Sequence, residues 1–131
     1  MDVICLDLEA SGLGDDSYPI EVAWKNSADG DNDSFLINPD SVPGWVHWDE
    51  CAEEIHGLCR AELRQQGVAA VTACERLNQR LAGQRVLSDA REYDNFWLMR
   101  LYQAANQQMA FQLVGADSVL TAQELEQFEQ I

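Results

Sequence analysis

Val3-Ile-Cys-Leu-Asp-Leu8 is a short, nearly continuous apolar run broken by a single acid, the pattern of a strand buried on both faces. Gly12, Gly14 and Asp15-Asp16-Ser17 then punctuate a turn, and Ile20-Glu-Val-Ala-Trp24 reads as a second strand. The polar stretch 27–34 reads as a hairpin connection, and Phe35 to Ile37 as a third strand that Pro39 ends. Three strands on short turns predict an antiparallel meander. The period then changes. Asp49 to Leu63 carries Cys51, Ile55, Leu58 and Cys59 at helical spacing, and Val71 to Leu81 repeats the pattern up to a C-cap at Gly83. Val86-Leu87 is a brief strand, Asp94 to Ala105 a well-buried helix, and Phe111 to Val114 a fifth strand. Thr121-Ala-Gln-Glu124 has the form of a capping box for a last helix with Leu125 and Phe128 on its apolar face. The expected fold is one α/β domain: a mixed sheet with the meander first and βα units after it.

With 131 residues the chain can bury about two-thirds of its unfolded surface, enough for a core without disulfide or metal staples. Eight Lys+Arg against 23 Asp+Glu leave a net charge of −15, and Lys25 is the single lysine. Binding a phosphate backbone through the overall field is excluded, so any nucleic-acid contact must be local and metal-assisted. The opening residues have no basic n-region or small-residue cleavage site, and no apolar run reaches membrane-spanning length. Cys5, Cys51, Cys59 and Cys74 lack CxxC spacing and form no zinc pattern with His47 and His56. Free thiols in a reducing cytoplasm are expected.

Asp7 and Glu9 are two apart, so on a strand both carboxylates point to one face, above Val3 and Cys5. Adjacent carboxylates repel and lose hydration, a cost that a hard divalent cation relieves. Taken alone, D-x-E reads rather as the solvated rim of a sheet. Its context is more specific. Asp7-Leu-Glu-Ala-Ser-Gly-Leu13 resembles the first motif of the DEDD (DnaQ-like) 3′–5′ exonucleases. Tyr18-Pro-Ile-Glu-Val-Ala-Trp24 is similar to that family's second strand, with its acid at Glu21. Ile37-Asn-Pro39 and Ile55-His-Gly-Leu58 resemble its next two elements, and Val86 to Asp94 followed by Asn-Phe-Trp-Leu98 resembles its second motif. The order and spacing agree over roughly residues 1–105.

The resemblance implies a ribonuclease H-like fold. It also implies hydrolysis of nucleotides from the 3′ end of single-stranded DNA or RNA. Two divalent ions, Mg²⁺ or Mn²⁺, would be held about 3.5–4 Å apart. Asp7, Glu9 and Asp94 would be the catalytic metal ligands, with Asp94 preferred to Asp89 because it opens a helix. Ala10, Ser11 and Leu13 match the turn that meets the terminal nucleotide, although Ala10 and Ser11 replace the usual threonines. His56 is either a helix-end structural residue or a substrate contact, and His47 is expected to pack in a loop between Trp45 and Trp48. Glu21 can face the site or solvent. Arg60, Arg64 and Arg91 are the cations available to phosphates.

The third motif of the family, a histidine and a fourth aspartate, is not found. No histidine follows His56, and Asp117 is the one aspartate after Asp94. The expectation is a single exonuclease-like domain lacking its C-terminal motif, with little or no catalysis by these residues alone. It is either a piece cut before that motif or a shortened relative, and the uncapped stop at Ile131 favours the first. The alternative function is a degenerate nuclease fold serving as an acidic protein-interaction module.

Overall fold

The computed structural model describes residues 3–88 and 90–115. Five strands form one sheet in the order β3-β2-β1-β4-β5. The first three are β1 (Ile4–Ala10), β2 (Pro19–Asn26) and β3 (Asn32–Leu36), joined antiparallel as the meander predicts. The last two, β4 (Arg85–Ser88) and β5 (Gln112–Gly115), run parallel to β1. The helices are α1 (Glu50–His56), α2 (Arg60–Gln66), α3 (Ala70–Leu81) and α4 (Arg91–Ala105). This is the expected mixed α/β architecture, with β1 at its centre.

Period two decides which face of β1 does what. Ile4, Leu6, Leu8 and Ala10 face the main core with Ile20, Val22 and Trp24 of β2. Against them pack Ala73, Cys74, Leu77 and Leu81 of α3 and Trp97, Leu98 and Leu101 of α4. Val3 and Cys5 face the other way, joining Leu87 and Val114 in a small second cluster. Asp7 and Glu9 continue that second face beyond the cluster. Asn78 explains why a polar residue sits in the helical stripe of α3. Its Oδ1 accepts from Tyr102 Oη at 2.7 Å and from the Ala110 N–H at 3.0 Å, tying α3 to α4 and to the approach of β5.

Three boundaries differ from those expected. The third strand starts at Asn32, because Asn32 to Ser34 pair with Lys25 to Ala23. On this sheet edge polar side chains are tolerated, and Asp33 is held by a bidentate Arg76 at 2.7 Å. The helix expected over 49–63 is two helices. Gly57 takes φ +73°, and the Leu58 N–H turns back to His56 Nδ1 at 2.9 Å, leaving Leu58 and Cys59 outside either helix. A left-handed residue ends a helix, and glycine adopts it without a Cβ penalty. α4 begins at Arg91, so Asp94 belongs to its first turn without being its opening residue. Cys5, Cys59 and Cys74 are free thiols. No helix among the described residues is long and apolar enough to cross a membrane. The capping box at 121–124, Asp117 and Asp89 lie outside the described residues.

Candidate active site at the carboxyl end of the central strand

In parallel α/β sheets the carboxyl ends of the strands are where ligands are met. Here β1 and β4 run side by side with Cys5 opposite Leu87, so both deliver their ends to the same edge. Asp7 is exposed and Glu9 half-buried on one face of β1. Glu21 lies directly across from Glu9 on β2, which settles its direction: it faces the acidic pair. Glu21 therefore joins the cluster, a placement that only the strand register could reveal.

The charges are not comfortable together. Burial pushes the Glu9 carboxyl above the ordinary glutamate range, and the charges of Asp7 and Glu21 push it further. Glu21 is raised in the same way, by burial first and then by Asp7 and Glu62. An acid that holds its proton more tightly when folded stabilises the fold fully below its unfolded value. That contribution is lost as pH rises through the raised folded value. Stability from Glu9 and Glu21 is thus present below 4.5 and falls above it. Glu21→Gln is expected to stabilise the metal-free protein at pH 7 by under about 1 kcal/mol, the charges being part-exposed and screened. At pH 4 it should have little effect. Thermal melts of the two proteins across pH 4–7 check this.

Asp94 is placed differently. It is 1% exposed in the first turn of α4, and its Oδ2 accepts from Ser88 Oγ at 2.5 Å, the last residue of β4. Ser88 Oγ also accepts the Ala90 N–H at 3.1 Å, so one hydroxyl fastens the strand end, the turn and the helix start. Asp94 comes from a helix packed on the main-core face, whereas Asp7 and Glu9 occupy the opposite face. Among the described residues, no three His, Cys, Asp or Glu side chains are gathered closely enough to hold a metal ion as they stand. Asp7, Glu9 and Glu21 share one charge cluster, and Asp94 lies in the first turn of α4, hydrogen-bonded to the last residue of β4. Crowded carboxylates with raised proton affinity are a donor set that suits a hard divalent cation.

The turn after β1 is built inward. Ala10 and Ser11 are buried. The Ser11 N–H donates to Tyr18 O at 3.0 Å and its carbonyl accepts from the Asp49 N–H at 2.9 Å. Ser11 Oγ bonds His47 Nδ1 at 2.9 Å and accepts the Tyr18 N–H at 3.2 Å. His47 is thus packed between its loop and this turn, as expected. Leu13 projects outward at 69% exposed. It lines a cleft of about 270 Å³ with Gly14, Asp15 and Ser17 on one side and Glu92, Tyr93, Phe96 and Trp97 of α4 on the other. The Trp97 indole N–H donates to Ser17 Oγ at 2.9 Å, and Ser17 donates to Gly14 O at 2.6 Å, bracing the floor. Tyr93, 52% exposed, leans on Trp97 with ring centroids 5.8 Å apart. Tyr93 and Glu92 escaped the sequence reading, although their position just before Asp94 was a usable signal. His56 ends α1 against the edge of Trp48, ring centroids 5.8 Å apart, and burial lowers its proton affinity, leaving a neutral imidazole.

The fold has close structural counterparts. The chain is similar to exonuclease I, with TM-score 0.69 and 14% sequence identity over 88% of this chain and 28% of that one. A product-bound structure of exonuclease I gives TM-score 0.71 over 88% and 30% of the two chains, at 14% identity. E. coli exonuclease I in complex with a dT13 oligonucleotide gives 0.68, again at 14% identity, over 88% and 28%. The chain therefore has an exonuclease-type fold, and it spans less than a third of the length of these proteins. No family model and no curated protein matches it by sequence.

Proposed function

We propose that this chain is a 3′–5′ exonuclease-type domain that binds the 3′ end of single-stranded nucleic acid and removes nucleotides with the help of divalent metal ions. The observation that carries the reading is the placement of Asp7 and Glu9 at the carboxyl end of the central strand of an exonuclease-type sheet. Beside them the parallel strand β4 ends at Ser88, which holds Asp94. Oligonucleotide complexes among the similar structures support a single-stranded DNA substrate.

Asp7 and Glu9 would hold the cation, with Glu21 adding negative charge to their face and Asp94 reaching them from the first turn of α4, where Ser88 at the end of β4 holds it. Mg²⁺ or Mn²⁺ bound there would supply the positive charge that activates water and steadies the leaving 3′ oxygen. The terminal base fits the cleft between Leu13 and Tyr93, where an aliphatic and an aromatic side chain flank it and the braced Trp97–Ser17 pair forms the floor. Ala10 and Ser11 act by shaping the turn, since the partners of Ser11 are protein groups, and His56 acts from the Trp48 side.

The test is shortening of 5′-labelled single-stranded DNA and RNA with Mn²⁺ or Mg²⁺, with Asp7→Ala as control. Loss of nucleotides from the 3′ end, at least about a thousandfold slower in the variant, is the expected result. If the parent chain neither trims the 3′ end nor binds it, the proposal fails.

A further inference from the structure

Four arginines, two on α2 and two on α3, differ in their partners. Arg64, Arg76 and Arg80 are each neutralised by an aspartate: Asp40 at 2.9 Å, Asp33 at 2.7 Å and Asp31 at 2.6 Å. Arg60 is not. Its Nη2 donates to the Val46 carbonyl at 2.7 Å, and its guanidinium carbon lies 5.5 Å from the centre of the Trp48 ring. A carbonyl and an aromatic face orient a guanidinium without cancelling its charge.

Two buried donors lie in the surroundings of Arg60. Arg60 Nε and His56 Nε2 are buried with no hydrogen-bond partner among the described residues, while the Tyr18 hydroxyl lies close enough to Arg60 to interact with it. His56 Nδ1 accepts the Leu58 N–H, so the ring proton of the neutral imidazole is on Nε2. A buried donor left unsatisfied is destabilising. An oxyanion is the ligand chemistry that these two donors and the Arg60 guanidinium fit, and Glu53 beside His56 and Asp40 beside Tyr18 are the carboxylates nearby.

The position also fits. The loop bearing Trp48 is fastened to the turn that leaves β1. Asp49 donates its N–H to Ser11 O at 2.9 Å, and His47 bonds Ser11 Oγ at 2.9 Å. Gly12 comes so near that a Cβ there would lie 2.6 Å from His47 Cε1 and 2.9 Å from Asp49 Cβ. Glu62, two residues after Arg60, is near enough to Glu21 to raise its proton affinity. Trp48 therefore sits beside the turn that leaves β1 with Arg60 stacked on it, and Leu13 leads from the same turn to the cleft. We propose that Arg60, braced on Trp48 with His56 beside it, binds a backbone phosphate of single-stranded nucleic acid upstream of the terminal nucleotide. The inference rests on the nuclease reading and names a contact within it.

The experiment is binding of a fluorescent single-stranded dT oligonucleotide to the whole chain with Ca²⁺ in place of the supporting metal, over a range of NaCl concentrations. Each phosphate neutralised on a single strand contributes about 0.7 to the slope of log affinity against log salt. R60Q is expected to bind several-fold more weakly at low salt and to lose about 0.7 of that slope. R64Q, which removes an aspartate-paired arginine, should keep the parent slope. R60M retains the stem over Trp48 and serves if R60Q does not fold; it should lose the same slope. A parent-like slope in folded R60Q or R60M overturns the contact while leaving the nuclease reading intact. Absence of oligonucleotide binding by the parent chain overturns both.

Discussion

Asp7→Ala is expected to abolish the divalent-ion response of this protein while leaving its metal-free fold at least as stable as the parent. The two halves of that expectation come from the same geometry. Asp7 is exposed, its strand neighbour across the ladder is Ala23, and its Oδ1 accepts the adjacent Leu8 N–H. Its charge, however, raises the proton affinity of both Glu9 and Glu21, so its removal relieves repulsion across the β1–β2 ladder. An ion that binds the folded state alone stabilises it by about 2.7 kcal/mol at a hundred times its dissociation constant. The parent should show that rise in thermal melts with Mn²⁺, and Asp7→Ala should show none. Titration calorimetry with Mn²⁺ gives the affinity directly. A variant that keeps the rise would remove Asp7 from any metal site.

The order of elements along the chain was readable because the meander and the later βα units obey different periods, and each period assigns a face. Asp7 and Glu9 could be paired from spacing alone, since alternate residues of a strand share a side. Glu21 could not. Its direction depends on the antiparallel register that sets it against Glu9, with the ladder irregular just after that pair, and register is a property of two strands. The split of α1 from α2 turns on Gly57 adopting a left-handed backbone, which helical periodicity does not register. The polar start of β3 was hidden for a related reason: Asn32 to Ser34 are held by the backbone ladder and by Arg76 on α3, not by an apolar pattern. The Leu13–Tyr93 cleft and the Trp48–Arg60 pair are made by segments far apart in sequence. Both needed the tertiary structure to become visible.

Asp94→Ala is the second large effect, and it has the opposite signature. Asp94 is buried, and its Oδ2 receives the Ser88 hydroxyl. Truncation leaves that buried hydroxyl without its acceptor, a loss of about 1–3 kcal/mol. It also loosens the join between β4 and α4, because Ser88 Oγ simultaneously holds the Ala90 N–H. A lower metal-free melting temperature is therefore expected, unlike that of Asp7→Ala. Ser88→Ala separates the two roles open to Asp94. If the carboxylate only anchors the helix, Ser88→Ala and Asp94→Ala should lower stability alike, and both should bind Mn²⁺ as the parent does. If it also reaches the ion held by Asp7 and Glu9, Asp94→Ala should bind Mn²⁺ at least about tenfold more weakly, the usual scale for losing a group that supports a metal site. Ser88→Ala should then keep most of the affinity, because the carboxylate it releases is still present. The second pattern is the expected one. Calorimetry on the two variants beside the parent distinguishes it from the first.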